Sequence, residues 1–343
     1  MKTHLNKTIK HIGLLSLCHM AVDFLCAFSL YHTFKESYNA FLIYNFCAFA
    51  LQMPLGLLLD KWCLYTKKEI LPGKIFVLAG IICTIVGSYI SYIILGIGNA
   101  LFHVGGGVIT INEDNNTKLN GKGLGVFVAP GAIGLFLGSV FYSNNYYSVI
   151  QLFVAILLLF TGILLMIDKY ELELIEKINE NNNSNLISII VGCFLVVILR
   201  SLTSMAISFP WRKGFLISFL SVIFLAFGKT LGGFIQASIG MKKTTIITLS
   251  IAAIAYAFGN NIIFGLIALL FFNMTMPLTL YLLSKNMENT PGFAFGILTF
   301  GLFLGYLPIL YGYLGNLNPI YGAITSLLSL AILYFAIMQS ERK

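Results

Sequence analysis

At 343 residues, 58% of them hydrophobic and only 10% charged, with a mean hydropathy of +0.89, the chain is far from the soluble-domain norm of about 25% charged. Repeated apolar runs of about 20 residues match the thickness of a bilayer's hydrocarbon, and no short alternating strands occur, so both a soluble domain and a membrane β-barrel are excluded. The formal charge of +8 does not point to nucleic acid, because the basic residues sit in short loops beside the apolar runs, where they orient a membrane protein.

Taken in order, apolar stretches fall near Ile9–Tyr31, Ala40–Leu59, Lys74–Tyr89, Ser91–Ile111, Gly123–Tyr142 and Tyr146–Ile167. Two of them meet at Tyr89–Ser91 with almost no loop. A polar, Asn- and Glu-rich segment follows, too hydrophilic to insert. Further stretches lie near Leu186–Phe209, Phe215–Ile239, Thr244–Phe258, Ile262–Leu283, Gly292–Leu314 and Pro319–Met338. The pattern predicts an all-α polytopic membrane protein with about twelve transmembrane helices. Residues 1–168 form an N-terminal six-helix bundle, 169–185 a cytosolic linker and 186–343 a C-terminal six-helix bundle. With both termini cytoplasmic, only Lys35, Arg212 and Lys213 fall in outer loops, while Arg200 and Lys229 lie inside spans; that asymmetry supports an even span number and a bacterial inner (cell) membrane location. The first span is too long for a signal-peptide core and is expected to be retained. Cys18, Cys26, Cys47, Cys63, Cys83 and Cys193 lie in or beside spans without a C-x-x-C pair, and read as apolar fillers. Trp62 and Trp211 fall at the expected interfaces.

The halves repeat. Gly134-Leu135-Phe136-Leu137-Gly138 recurs letter for letter as Gly301-Leu302-Phe303-Leu304-Gly305, in register back to Gly125 and Gly292. Met20-Ala21-Val22-Asp23-Phe24 resembles Met205-Ala206-Ile207-Ser208-Phe209, and Phe102-His103 matches Phe272-Asn273. Repeated halves imply two pseudo-symmetric bundles, as in secondary transporters. The glycines at about four-residue spacing are close-approach positions between helices.

Gly56-Leu57-Leu58-Leu59-Asp60-Lys61 resembles the G-x-x-x-D-R loop of the major facilitator superfamily. The resemblance implies a conformational latch, in which the acid and base at Asp60 and Lys61 clasp neighbouring helix ends. The second-half echo, Gly228-Lys229-Thr230-Leu231-Gly232-Gly233, has Ala237 and Ser238 where the acid and base would fall. His19-x-x-x-Asp23, Gly96-Ile97-Gly98-Asn99-Ala100-Leu101-Phe102-His103 and Leu199-Arg200-Ser201 resemble the fosmidomycin-resistance branch of efflux carriers, with Val104 where that pattern has proline. The branch resemblance favours export.

The candidate chemistry centres on Asp23, read as the one carboxylate deep inside a hydrophobic segment. A mid-bilayer charge costs about 2.5–3.5 kcal/mol, which makes it a functional candidate. His19, four residues earlier, shares its helix face at roughly 6 Å between Cβ atoms. Asp23, His19 and His103 are assigned to proton coupling, since histidine titrates near neutral pH. Arg200 keeps its charge and would anchor an anionic solute. Its depth relative to Asp23 is read differently from the span start and from the repeat, so no ion pair is assigned. Lys229 could also contact substrate, although snorkelling to the cytosolic interface is favoured. Two broken-helix signals, Gly105-Gly106-Gly107 and the Pro277 kink after Asn273 and Thr275, suggest loosened spans, with Asn273 and Thr275 as substrate contacts.

No G-x-x-x-x-G-K-[ST] loop, dinucleotide fingerprint, H-E-x-x-H or clustered carboxylates occur, so no cofactor and no metal is expected. The expected function is a secondary transporter, not an enzyme: a monomer in the lipid bilayer that moves a small, polar or anionic solute by alternating access, coupled to protons. The rivals are a polytopic membrane enzyme, which would gather its polar groups at one membrane face, and a degenerate carrier acting as a sensor.

Overall fold

The structure is a computed structural model that describes residues 2–142, 147–168, 171–172 and 183–342. Where lipid replaces water, each backbone N–H and C=O has to be paired inside its own segment. The described residues are accordingly helical almost throughout, with an isolated β-bridge between Ile207 and Leu317 and no strand. The helices are α1 (Lys2–His32), α2 (Tyr38–Thr66), α3 (Leu71–Ile90), α4 (Tyr92–Thr117), α5 (Lys122–Phe141), α6 (Tyr147–Ile167), α7 (Asn183–Ala206), α8 (Gly214–Ile239), α9 (Met241–Ala257), α10 (Ile262–Asn286), α11 (Pro291–Leu310) and α12 (Ile320–Glu341). Eleven of these are long and apolar enough to cross a membrane among the described residues. The remaining one, α9, has 17 residues and reaches about 25 Å. The chain is a multi-pass, all-α membrane protein, as its hydropathy pattern predicts.

The join at Ser91 shows how two spans abut without a loop. Its backbone is extended (φ −160°, ψ 123°), and its N–H closes α3 on the Gly87 carbonyl at 3.0 Å. Its hydroxyl accepts from the N–H groups of Ile93 (3.2 Å) and Ile94 (3.5 Å). One residue therefore ends one helix and caps the next.

The glycine triplet in α4 does not loosen the span as expected. The helix runs on past Ile111 to Thr117, because Gly105 packs on the Gly73 carbonyl and Phe76 of α3, and Gly107 packs on the Phe295 ring. Small residues here bring helices together rather than end one. The letter-for-letter repeat has the same meaning in both halves. A Cβ on Gly134 or Gly138 would run into the carbonyls of Met20 and Phe24, so α5 lies directly on α1. A Cβ on Gly301 would meet the Phe194 ring at 3.2 Å, a softer contact, and one on Gly305 would run into the Ile198 carbonyl, so α11 lies on α7.

The chain divides into two compact units: Met1–Lys118, Val126–Glu176 and Asn289–Gly296 in the first, and Leu119–Gly125, Lys177–Glu288 and Ile297–Lys343 in the second. The linker expected over 169–185 falls mostly outside the described residues. In unit 1, Leu59, Cys63, Phe76, Val104 and Val108 form a buried apolar cluster with Trp62 against it. In unit 2, the Trp211 indole N–H donates to the Gly259 carbonyl at 2.8 Å. All six cysteines are free, and all but Cys83 are buried.

Candidate functional site

Unit 1 gathers His19 and Asp23 of α1 with Asn99 and His103 of α4. The i, i+4 spacing puts His19 and Asp23 on one face, with His19 Nε2 3.2 Å from Asp23 Oδ2. His103 Nε2 lies 3.6 Å from Asp23 Oδ1, and the two imidazole Nε2 atoms are 2.9 Å apart. Asn99 Nδ2 donates to Asp23 Oδ1 at 3.1 Å. The three titratable side chains are 5%, 6% and 7% exposed for His19, Asp23 and His103 respectively. The spacing argument foresaw the His19–Asp23 pair and singled out His103 separately; Asn99 received no role from it.

Helix α5 supplies the rest of the site through a break that the sequence reading did not single out. The helical hydrogen-bond pattern lapses at Ala129 before Pro130, although Ala129 keeps helical dihedrals (φ −77°, ψ −48°). Proline has no N–H, so it leaves the carbonyl four residues back without its helical donor. That carbonyl, on Val126, lies 3.2 Å from the Ser16 hydroxyl, as the longer branch of a donor shared with the Ile12 carbonyl at 2.6 Å. The next one, on Phe127, accepts from His19 Nδ1 at 2.7 Å. His103 Nδ1 donates in turn to the Asn99 carbonyl at 2.8 Å. A carbonyl can only accept, so each Nδ1 carries a proton and each Nε2 faces the other ring and the carboxylate. Gly131 follows directly, and any Cβ there would strike His19 Nε2 and Asp23 Oδ2. The result is a buried pocket in which two imidazole Nε2 atoms and a carboxylate converge.

Asp23 is not alone among buried acids. Glu113 and Asp114 are 0% and 1% exposed, because α4 continues into the polar stretch that hydropathy assigns to a loop. Glu113 Oε1 lies 2.5 Å from His11 Nδ1, and His11 Nε2 is 3.3 Å from Asp168 Oδ2. Lys74 Nζ donates to the Asp168 carbonyl at 2.5 Å. This second cluster ties α1, α3 and α4 to the end of α6.

Asp60 and Lys61 have different surroundings. Asp60, 3% exposed, accepts from the backbone N–H groups of Gly292 (2.7 Å) and Phe293 (2.8 Å), the unpaired first turn of α11. Gly56 packs on the Gly292 carbonyl, while Lys61 is exposed. A carboxylate at a helix N-terminus is favoured by the orphan N–H groups and the helix dipole. In unit 2, the echo of this motif keeps its close-packing glycine, Gly228 on the Leu270 carbonyl. Next to Ala237 it presents Gln236, whose Nε2 donates to the Asn120 carbonyl.

The remaining candidates lie in unit 2. Arg200 is 6% exposed, and its Nε has no hydrogen-bond partner among the described residues. Lys229, expected to snorkel, is instead buried at 9% exposure. The α10 break occurs at Met274, where Asn273 Nδ2 donates to the Leu269 carbonyl at 2.9 Å and Thr275 Oγ1 to the Phe272 carbonyl at 2.7 Å.

These features define a polytopic helical protein with a polar site held inside its first half. No family model and no curated protein matches the chain. Solved structures do. The E. coli fucose:proton symporter FucP has a TM-score of 0.64 at 14% identity, covering 98% of this chain and 100% of that one. A bacterial homologue of the iron transporter ferroportin, in its outward-facing state, has a TM-score of 0.57 at 15% identity, covering 97% of this chain and 100% of that one. The chain has the fold of major facilitator transporters, two six-helix bundles, along its whole length.

Proposed function

We propose that this protein is a secondary carrier of the cell membrane that moves a small solute by alternating access of its two bundles, coupled to protons and running outward. The observation that carries this reading is the buried His19–Asp23–His103–Asn99 cluster in mid-span. Ionisable groups are retained at that depth only where a pathway or an equivalent task demands them. A fold of this kind, and neighbours named as a proton symporter and a transporter homologue, support transport over membrane enzymology. The resemblance to fosmidomycin-resistance carriers supports export, and the distribution of basic residues supports cytoplasmic termini.

Within this reading His19, Asp23 and His103 exchange protons. Arg200, which cannot discharge, would hold an anionic part of the solute, with Lys229 as a second cation. Asp60 would act as the conformational latch through its grip on the first turn of α11. The test is flux in proteoliposomes under an imposed pH gradient, across a panel of small solutes. Gradient-driven flux that falls to background in Asp23→Asn is expected. Full flux in that variant would remove the coupling role, and no gradient-driven flux of any solute would remove the carrier reading.

A further inference from the structure

We infer that His19, Asp23 and His103 form a binding site for a divalent first-row transition-metal cation, and that such a cation is a transported ion of this protein. The binding site stands on its geometry alone; the word transported rests on the carrier reading, which it deepens by naming a solute class. The three ligand atoms come from two helices more than 70 residues apart in sequence, so no local motif could announce them. The two Nε2 atoms are 2.9 Å apart, His19 Nε2 is 3.2 Å from one Asp23 oxygen and His103 Nε2 3.6 Å from the other, and one ligand atom from each residue lies within 4.8 Å of the rest. Three ligands at bond lengths of about 2.0–2.1 Å around a tetrahedral centre would sit about 3.3 Å apart, so small side-chain adjustments suffice.

The hydrogen bonds outside the triangle point the same way. Both rings donate Nδ1–H to backbone carbonyls, at 2.7 Å to Phe127 and 2.8 Å to Asn99. That is the outer-shell arrangement that fixes a metal-binding histidine's tautomer and aims its Nε2 inward. Two imidazole nitrogens and a carboxylate facing one another at these distances need something positive among them, a proton or a metal cation. A proton bridges one pair of these atoms along a line, whereas a metal cation engages all three at once. Asn99 holds the carboxylate through Nδ2, and its Oδ1 is buried with no hydrogen-bond partner among the described residues. Two nitrogens and one oxygen, with no thiolate, suit Fe²⁺, Co²⁺, Ni²⁺ or Zn²⁺. Mg²⁺ and Ca²⁺, which favour all-oxygen shells, are disfavoured. Three protein ligands also leave a coordination position open, as sites that exchange or activate a ligand require.

The test is a cobalt(II) titration of the full chain, purified without a histidine tag in detergent. One Co²⁺ per chain is expected, with visible absorption from a low-coordinate nitrogen-containing site, displaced by Zn²⁺ and not by Mg²⁺. His103→Gln and Asp23→Asn should each weaken binding at least tenfold, while His32→Gln, at the far end of α1, should not. Elution and thermal unfolding identify variants that have not folded, and the unaltered protein's own titration decides even if they fail. Absence of saturable binding, displacement by Mg²⁺, or unchanged affinity in folded His103→Gln would overturn the site. Zn²⁺ entry into dye-loaded proteoliposomes, run beside the organic solute panel, separates this inference from the carrier reading. Cobalt binding without flux of any kind upholds the site and removes the carrier. Proton-driven flux of an organic solute by a chain that binds no cobalt overturns the site and leaves the carrier standing.

Discussion

Replacing Asp60 by alanine isolates one interaction whose worth can be worked from geometry. Helix α11 opens at Pro291, and the next two N–H groups have no partner within their own helix. Asp60 supplies one oxygen to each, at 2.7 and 2.8 Å, while itself only 3% exposed. A hydrogen bond to a charged group contributes roughly 1.5–3 kcal/mol. Taking the lower end for both gives about 3 kcal/mol, since water reaching the vacated space recovers part of the loss. At tenfold per 1.4 kcal/mol, that is about a hundredfold in the opening equilibrium of the first turn. Hydrogen exchange followed on the peptide spanning 289–296 should therefore run about two orders of magnitude faster in Asp60→Ala. Asp60→Asn keeps one acceptor and loses the charge, so it should fall between, at roughly tenfold. Unchanged protection in a folded Asp60→Ala protein would refute the assignment. So would an Asn variant that opens as far as the Ala variant, because the count of acceptors would then be irrelevant.

Three further perturbations follow from the packing. His11→Ala strips Glu113, 0% exposed, of its 2.5 Å partner, and breaking a buried pair from one side costs about 3–5 kcal/mol; a large drop in melting temperature is expected, with much of it recovered in His11→Leu combined with Glu113→Leu, and a single variant that melts like the parent would refute the pairing. Gly134→Ala drives a Cβ into the Met20 carbonyl and should lower both stability and flux by prising α5 from α1. Gly13→Ala meets nothing within 4 Å and should be neutral or stabilise by up to about 1 kcal/mol, so equal effects in the two glycine variants would defeat the close-packing argument. Ser91→Ala removes the cap between α3 and α4 and should cost about 1 kcal/mol, read by thermal unfolding in detergent.

The spans were legible in the sequence because lipid imposes a rule that overrides local detail: a helix long enough to cross must be apolar along its length. The duplicated glycines were legible for a related reason. Gly134 and Gly138 touch backbone, so no other residue is tolerated, and the letters persist in both halves. Asp23 stood out by cost, and His19 by its spacing on the same face. What escaped is polar structure at the ends of spans, where hydropathy cannot tell a helix from a loop. Glu113 and Asp114 are helical and buried, although their stretch reads as hydrophilic. Lys229 was assigned to the interface by its chain length alone, and burial depends on neighbours that a single helix does not reveal.

The break at Pro130 is the most instructive of these, because it changes chemistry rather than shape. Beside the kink in α10, Asn273 and Thr275 donate to carbonyls of their own helix. The comparable lapse in α5 was passed over, and it is the one whose carbonyls are answered from another helix, by Ser16 and His19. A carbonyl beside the proline break therefore accepts from a histidine in a different helix. Because the Phe127 carbonyl can only accept, His19 keeps a proton on Nδ1, with Nε2 facing Asp23 and His103. Replacing Pro130 by alanine would restore the missing N–H, let the helix reclaim the Val126 carbonyl from Ser16, and regularise the turn that presents the neighbouring Phe127 carbonyl to His19, without altering any of the three side chains that converge there. Loss of cobalt affinity in Pro130→Ala, with its fold intact, would show that the proline acts on the site through His19. Parent-like affinity would show that the ring is aimed by its neighbours in the triangle alone.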